Sequence, residues 1–261
     1  QPNAMGGREV GGLANMLAVH KDYTNEEHRQ QVGEFWGTHN ISSKPGLTAI
    51  QMVEAMNEGK LKAIWIICTN PLVSWPNARL ADEALKKCNF VVVQDVSKNS
   101  DTAKYADLVL PAAGYMEKEG TMTNSERRVS YLPKIVDAPG EALPDTEILR
   151  LFAHKMGYEH AFDYSKTEDV YKEHAALTKG TNLDVSGLTY DILKEKRSVQ
   201  WPYPEANSEG KTRLFEDKKF FTDNGNAKIH TSPSENLSEP TTEEFPYVLT
   251  TGRIRDQWHT I

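Results

Sequence analysis

Three apolar runs separated by segments of helical spacing constrain the fold of this chain more than any other feature of its sequence. The runs are residues 61–68, 90–93 and 108–110. Helical patterns precede and separate them at residues 47–58, 78–87 and 100–106. Continuous apolar runs of this length are typical of strands that are buried on both faces of a parallel sheet. Their order predicts an α/β fold, a doubly wound, mostly parallel sheet with flanking helices.

After the predicted sheet, the pattern indicates two more helices and a hairpin. Apolar residues recur at helical spacing over residues 146–155 and 168–177. Asp223-Asn224-Gly225 stands between two short apolar segments, and Asn-Gly is the turn sequence that two-residue hairpins favour. We therefore expect helices that pack on the sheet, followed by a short hairpin.

The last thirty residues predict a linker and the start of a second domain. Residues 232–244 are rich in Ser, Pro, Thr and Glu and have almost no apolar content. A new strand is predicted from Phe245 to Thr250, and the chain stops at Ile261 soon afterwards. The chain also begins with Gln1 and has no signal-peptide pattern, so we expect an internal piece of a longer protein.

Charge and cysteine content exclude several classes of function. The formal net charge of -7 argues against nucleic-acid or anionic-membrane partners, because both attract clustered Lys and Arg. The best candidate for a membrane span, Ala63 to Cys68, is far too short. The two cysteines of the chain, Cys68 and Cys88, do not form a CxxC motif. The chain's own residues are therefore not expected to make an iron–sulfur or structural zinc site. Both lie beside apolar runs and are predicted to be buried free thiols, and no metal ligand is predicted.

Polar residues stand directly after two of the predicted strands, where an open parallel sheet binds its ligands. Thr69-Asn70-Pro71 follows the first strand, and an amide at this place can bind a phosphate or a purine. Asn-Pro is also common in plain turns, and Asn70 alone favours that interpretation. Gln94-Asp95 closes the second strand, where an acidic residue either binds a ribose or guanine or caps the next helix. The two motifs together favour a nucleotide site.

Two further polar segments follow predicted strands. Residues 117–128 form a charge run that ordinary solvation would explain, but its position places Lys118 where it can meet an anionic ligand oxygen. Residues 251–260 contain two arginines and Trp258, an arrangement that suits a pyrophosphate, although His259 alone is more often structural. The chain has no GxGxxG or Walker motif and no Ser/His/Asp arrangement, so hydrolases and simple nicotinamide enzymes gain no support.

Taken together, these segments resemble the molybdenum bis-molybdopterin guanine dinucleotide oxidoreductases over nearly the whole chain. The segments that carry the resemblance are residues 1–12, 69–71, 94–95, 106–111, 117–128 and 251–260. Several motifs in this order are specific, whereas any one alone is weak. The opening residues 1–9 are most similar to the catalytic subunit of assimilatory nitrate reductase, with formate dehydrogenase-like enzymes as the rival.

The resemblance implies a role for each matching residue, with helix capping or surface solvation as the ordinary alternative. Gln1 would lie at the cofactor near the metal, and Arg8 would line the substrate funnel and bind nitrate through its guanidinium. One guanine dinucleotide with its pterin would be bound by Asn70, Gln94, Asp95, Lys118 and Asp145. The residues that would clamp the cofactor from the next domain are Thr251, Gly252, Arg253, Ile254, Arg255, Asp256, Gln257, Trp258, His259 and Thr260.

The same resemblance implies the reaction and the domain division. The full-length enzyme would be cytoplasmic and would reduce nitrate to nitrite by oxygen-atom transfer at molybdenum. Its electrons would come from ferredoxin, flavodoxin or a reductase subunit through a 4Fe-4S cluster, which the family places upstream of these residues. Residues 1–240 would belong to the α/β domain, and residues 241–261 would begin a β-barrel-like dinucleotide-binding domain with its first strand.

Two rival readings remain beside nitrate reduction. A formate dehydrogenase-like enzyme would oxidise formate, and a non-catalytic subunit would have kept the fold without molybdenum. Asn70, Gln94-Asp95 and residues 251–260 argue against the second rival, because loss of the cofactor would relax them. These 261 residues by themselves are expected to be inactive.

Overall fold

A computed structural model of the chain describes residues 3–232 and 240–249. The chain divides into two compact units, of which the first contains residues 2–211 and the second contains the residues from 212 onward. The α-helices of the first unit are α1 Ala4–Glu9, α2 Glu26–Trp36, α3 Ala49–Asn57, α4 Pro71–Ser74, α5 Ala78–Lys87, α6 Asp145–Lys155, α7 Thr167–Leu177 and α8 Tyr190–Lys196. Its 3-10 helices are Ala18–His20, Thr102–Tyr105 and Glu159–Ala161.

A parallel sheet of three strands confirms the central prediction of the sequence. Its strands are β1 Ala63–Ile67, β2 Phe90–Asp95 and β3 Leu108–Pro111, hydrogen-bonded in the order β1-β2-β3. The register places Ile67 opposite Gln94 and Asp95 opposite Pro111. The carboxyl ends of all three strands therefore lie along one edge of the sheet.

Helices α3 and α5 cover one face of this sheet and form its core. The side chain of Asn77 caps α5 by accepting a hydrogen bond from Leu80 N at 3.2 Å. Ala84 and Leu85 on the inner side of α5 are buried, and Leu85 packs with Val93 of β2. The apolar spacing of α5 thus matches the face that it buries.

The opposite face of the sheet is covered only in part, so the prediction of burial on both faces is wrong. The ring of Phe152 on α6 packs edge-on against Trp65 of β1, with 5.0 Å between ring centroids. Phe90 and Leu108, on the same face, remain 46% and 45% exposed. An open apolar groove of about 750 Å³ runs between these strands and α6.

A second, antiparallel sheet has its first strand within the charge run of residues 117–128. Its strands are β4 Gly120–Thr123, β5 Arg128–Leu132 and β6 Ser198–Gln200, in the order β4-β5-β6. The turn between β4 and β5 closes with Arg127 at a φ of 64°. The strands are short, and β6 comes from a distant part of the chain, so local periodicity does not reveal them.

The unit from residue 212 onward contains no strand within 212–232 and 240–249. The predicted hairpin is wrong: Asp223-Asn224-Gly225 forms a turn, with Phe220 N donating to Gly225 O at 2.9 Å, and no ladder flanks it. The strand predicted from Phe245 is not found at 245–249. Thr250 and the residues that follow it lie outside the described part.

Both cysteines are free thiols, but their predicted burial is wrong for Cys68. Cys68 is exposed because it follows the last residue of β1, with a φ of 55°, while Cys88 is partly buried. In the described part of the chain, no helix has both the length and the apolar character needed to cross a membrane.

Candidate functional site

Side chains from the strand ends and from α6 converge on the carboxylate of Asp145. Gln94 Nε2 donates to Asp145 Oδ1 at 2.7 Å, and Lys118 Nζ forms an ion pair with Oδ2. Cys68 Sγ lies 3.7 Å from Asp145 Oδ1. We call these four residues the Asp145 cluster. It joins the end of β1, the end of β2, the segment after β3 and the start of α6.

Local structure places each member of the cluster. Gln94 is fully buried near the end of β2, and its carbonyl accepts a hydrogen bond from Cys68 N at 2.9 Å, which holds the two strand ends together. Asp145 is the first residue of α6, directly after Pro144. A carboxylate at this position is favoured by the partial positive charge of the helix N-terminus.

The surroundings of Asp145 keep its carboxylate ionised. Burial raises the pKa of Asp145, but the hydrogen bonds from Lys118 and Gln94 and the charge of Lys118 outweigh burial, so the net pKa lies below its ordinary value. Cys68 is exposed as a residue, but partial burial of its thiol and the negative charge of Asp145 raise the pKa of that thiol. At neutral pH the cluster therefore presents an ionised Asp145 carboxylate beside a protonated Cys68 thiol.

One acceptor in the cluster has no partner. Gln94 Oε1 is buried and receives no hydrogen bond from any described residue. Buried polar atoms are almost always hydrogen-bonded, so this oxygen calls for a donor from a bound group. The edge of a guanine or a pterin carries such N–H donors. The phosphates of a nucleotide would suit Lys118. The residues present therefore fit a pterin nucleotide.

Asn70 and Asp95 lie at the same edge of the sheet but have local partners. Asn70 Oδ1 accepts hydrogen bonds from Thr102 Oγ1 at 2.7 Å and from Thr102 N at 3.3 Å. These bonds connect the end of β1 to the 3-10 helix Thr102–Tyr105. Asp95 Oδ1 accepts from Ser97 N at 3.0 Å, as in an ordinary turn. In residues 3–232 and 240–249, neither side chain hydrogen-bonds to the Asp145 cluster. Asp95 lies near enough to contribute to the raised pKa of Cys68.

A cleft of about 430 Å³ leads inward from Lys118 and Asp145, between β4 and α7. Tyr171 and Tyr190 line it, and their hydroxyls are buried and have no hydrogen-bond partner in the described residues. Burial lowers the pKa of His174, which also lines the cleft, to about 4, so its ring is neutral. The sequence did not reveal these three residues, because their spacing on α7 and α8 is that of any amphipathic helix.

The predicted substrate residue Arg8 lies apart from this cluster. Arg8 is exposed on α1 and does not line the cleft, whereas its neighbour Glu9 is buried. Gln1 and the predicted clamp, residues 251–260, lie outside the described residues. Among the residues that the structure describes, no group of three His, Cys, Asp or Glu side chains could hold a metal ion.

Known proteins resemble the chain along its whole length. The family described as Molybdopterin oxidoreductase matches residues 5–155. A nitrate reductase from Synechocystis sp. is 40% identical over all of this chain and 37% of its own length. The assimilatory nitrate reductase catalytic subunit of Bacillus subtilis is 37% identical, again over the whole chain and 37% of its own length.

A relative that is named for a different activity matches almost as well. The F420-dependent formate dehydrogenase subunit alpha of Methanocaldococcus jannaschii is 37% identical over the whole chain and 37% of its own length. The chain thus spans little more than a third of the length of each of these relatives.

Proposed function

Because this chain belongs to the molybdopterin oxidoreductase family, we propose that it is part of the catalytic subunit of a molybdenum nitrate reductase. The support is the identity of 40% and 37% to proteins named nitrate reductase, along the whole chain. The observation that carries the proposal is the Asp145 cluster, in which Asp145 pairs with Lys118 and with Gln94 Nε2, while Gln94 Oε1 has no partner among the described residues.

The proposed cofactor is molybdenum bis-molybdopterin guanine dinucleotide. When bound, it would supply the oxygen-atom transfer that converts nitrate to nitrite. Asn70, Gln94, Asp95, Lys118 and Asp145 would hold one of its guanine dinucleotides with the pterin. Gln1 would lie at the cofactor near the metal, and residues 251–260 would clamp the cofactor from the next domain.

Residues of the cluster would bind different groups of the cofactor. The ionised Asp145 and the buried Gln94 Oε1 would accept hydrogen bonds from ring N–H groups of the nucleotide. Lys118 would balance the charge of a phosphate while it remains near Asp145. Arg8, exposed on α1, would bind nitrate with two parallel N–H donors.

The remaining parts of the proposal concern the full-length protein. Its electrons would come through a 4Fe-4S cluster from ferredoxin, flavodoxin or a reductase subunit, in the cytoplasm. Residues 1–240 would belong to the α/β domain, and residues 241–261 would begin the β-barrel-like domain. Because this chain spans 37% of its relatives, the 261 residues by themselves would not catalyse the reaction.

The test compares two activities of the full-length protein. We expect nitrate reduction with reduced viologen and no oxidation of formate by an added acceptor. The similarity to a formate dehydrogenase subunit makes formate oxidation the second candidate function. Formate oxidation without nitrate reduction would overturn the proposal.

The variant Arg8→Ala tests the assignment of the substrate residue. Loss of two charge-assisted hydrogen bonds should raise KM for nitrate by roughly 10- to 100-fold. Arg79→Ala is the matched control, since Arg79 is exposed on α5 and pairs only with Glu83 among the described residues. Molybdenum content should remain unchanged in both variants, and loss of molybdenum from Arg8→Ala would contradict the substrate role.

A further inference from the structure

Glu9 is a buried carboxylate to which the proposed function gives no role. It is the last residue of α1 and is 4% exposed. Glu9 Oε2 accepts a hydrogen bond from Thr123 Oγ1 at 2.9 Å, and Oε1 accepts one from Trp201 Nε1 at 2.5 Å. Thr123 ends β4 and Trp201 follows β6, so one carboxylate joins α1 to both outer strands of the antiparallel sheet.

Both donors need this carboxylate. Thr123 and Trp201 are each 3% exposed, so neither can turn to bulk water for another acceptor. Burial raises the pKa of Glu9, while the hydrogen bonds from Trp201 and Thr123 oppose that rise. An unpartnered buried donor is costly, so the site strongly favours the one rotation of α1 that directs Glu9 inward.

A second contact holds the other end of the helix. Asn3, which precedes α1, accepts a hydrogen bond through Oδ1 from Thr123 N at 2.9 Å. The helix has only six residues. Thr123 bonds to Asn3 before its first residue and to Glu9, its last residue, so it contacts the helix at both ends. A helix this short gains little stability from its own hydrogen bonds, so tertiary contacts decide its orientation.

The direction of Glu9 determines the direction of Arg8. Successive residues of an α-helix are rotated by about 100°, so an inward Glu9 turns Arg8 outward. Arg8 is exposed, and the ring of His20 packs near Trp201, with 6.2 Å between the two ring centroids. Burial lowers the pKa of His20, and the charge of Arg8 lowers it further, which indicates that the two side chains are close.

We propose that Glu9 is a positioning residue: through Thr123 and Trp201 it fixes the rotation of α1 and with it the direction in which Arg8 meets nitrate. This inference rests on the proposed function, since it assumes that Arg8 binds the substrate. It adds a residue that touches neither nitrate nor the cofactor. The chemistry it requires is a side chain that accepts a hydrogen bond from Trp201 and also hydrogen-bonds to the Thr123 hydroxyl, not a negative charge as such.

The test uses two variants of Glu9 and one control in the full-length enzyme. Glu9→Ala removes both acceptor oxygens and should raise KM for nitrate about tenfold with kcat and molybdenum content unchanged, because a displaced binding group weakens substrate capture. Glu9→Gln keeps an acceptor for Trp201 and should restore the KM of the wild type. Asn57→Ala is the control, since it removes the bond of Asn57 Nδ2 to Val53 O within α3 and its bond to Leu80 O of α5.

A second readout does not depend on nitrate. Hydrogen exchange of the α1 amides should become faster in Glu9→Ala, remain slow in Glu9→Gln and remain slow in Arg8→Ala. Unchanged KM and unchanged exchange in Glu9→Ala would overturn the inference, and so would loss of molybdenum from that variant. A wild-type protein that reduces no nitrate would contradict the proposed function, while the exchange of α1 would still decide whether Glu9 fixes the helix.

Discussion

At the scale of single residues, partners that come from distant parts of the chain define the candidate site. Gln94 and Asp145 meet through a 2.7 Å hydrogen bond although they are far apart in sequence. The sequence could predict that Gln94 and Lys118 follow strands, since strand ends can be recognised locally. It could not predict that Gln94 Oε1 would lack a partner, because that depends on every atom packed around it.

Cys68 offers a direct check on the electrostatics of the cluster. Burial and the charge of Asp145 raise the pKa of its thiol, so little thiolate is present at pH 8 and alkylation should be slow. Asp145→Asn removes the negative charge and leaves Lys118 unpaired, and both effects lower the pKa of Cys68. We therefore expect faster alkylation of Cys68 by iodoacetamide at pH 8 in this variant, measured by peptide mass spectrometry.

Cys88 provides the internal control for that experiment. It is partly buried, and its thiol donates to Phe90 O at 3.6 Å, away from the cluster. Its alkylation rate should not change in Asp145→Asn. Equal acceleration at both cysteines would indicate a general loosening of the fold and would refute the electrostatic explanation.

At the scale of elements, local patterns predict what is locally determined. Helix α5 begins and ends where the spacing of its apolar residues predicts, and all three parallel strands lie at the predicted apolar runs. The antiparallel sheet escaped prediction because β5 pairs with β6 across a long separation in sequence, Val129 with Val199. The Asn-Gly turn at Asn224 formed without a ladder, since a turn sequence alone does not supply paired strands.

The cap of α5 can be tested by a single substitution. Asn77→Ala removes the side-chain acceptor for Leu80 N and should lower the free energy of unfolding by about 1 kcal/mol. Urea denaturation of the full-length protein, followed by a probe in the α/β domain, would measure the change. Asn99→Ala in the exposed loop after β2 is the matched control and should leave the midpoint unchanged. A midpoint unchanged in Asn77→Ala would show that the cap does not contribute.

At the scale of the whole molecule, the open face of the parallel sheet sets this chain apart from a complete α/β domain. A doubly wound sheet normally has helices on both faces, yet Phe90 and Leu108 remain almost half exposed. The chain spans 37% of the length of its nitrate reductase relatives. Sequence patterns identify the apolar runs, but they do not show how much of each face the helices cover.

We predict that the 261-residue chain expressed alone binds the dye ANS at its apolar groove more strongly than the full-length protein does. Leu108→Ser, which lies in the groove, should reduce the fluorescence. Val73→Ser is the control, because Val73 is 69% exposed but does not line the groove. Equal fluorescence from the Leu108→Ser variant and the parent chain would contradict the assignment of the dye to this face.

The proposed binding of a guanine dinucleotide by the Asp145 cluster is tested most directly by the content of bound cofactor. Purified full-length Asp145→Ala should contain far less molybdenum and acid-released GMP per polypeptide than the wild type, while its circular dichroism remains native. Asp137→Ala should retain both, because Asp137 is 96% exposed and pairs with Lys134 on the surface. Full molybdenum and GMP content in Asp145→Ala would contradict the account.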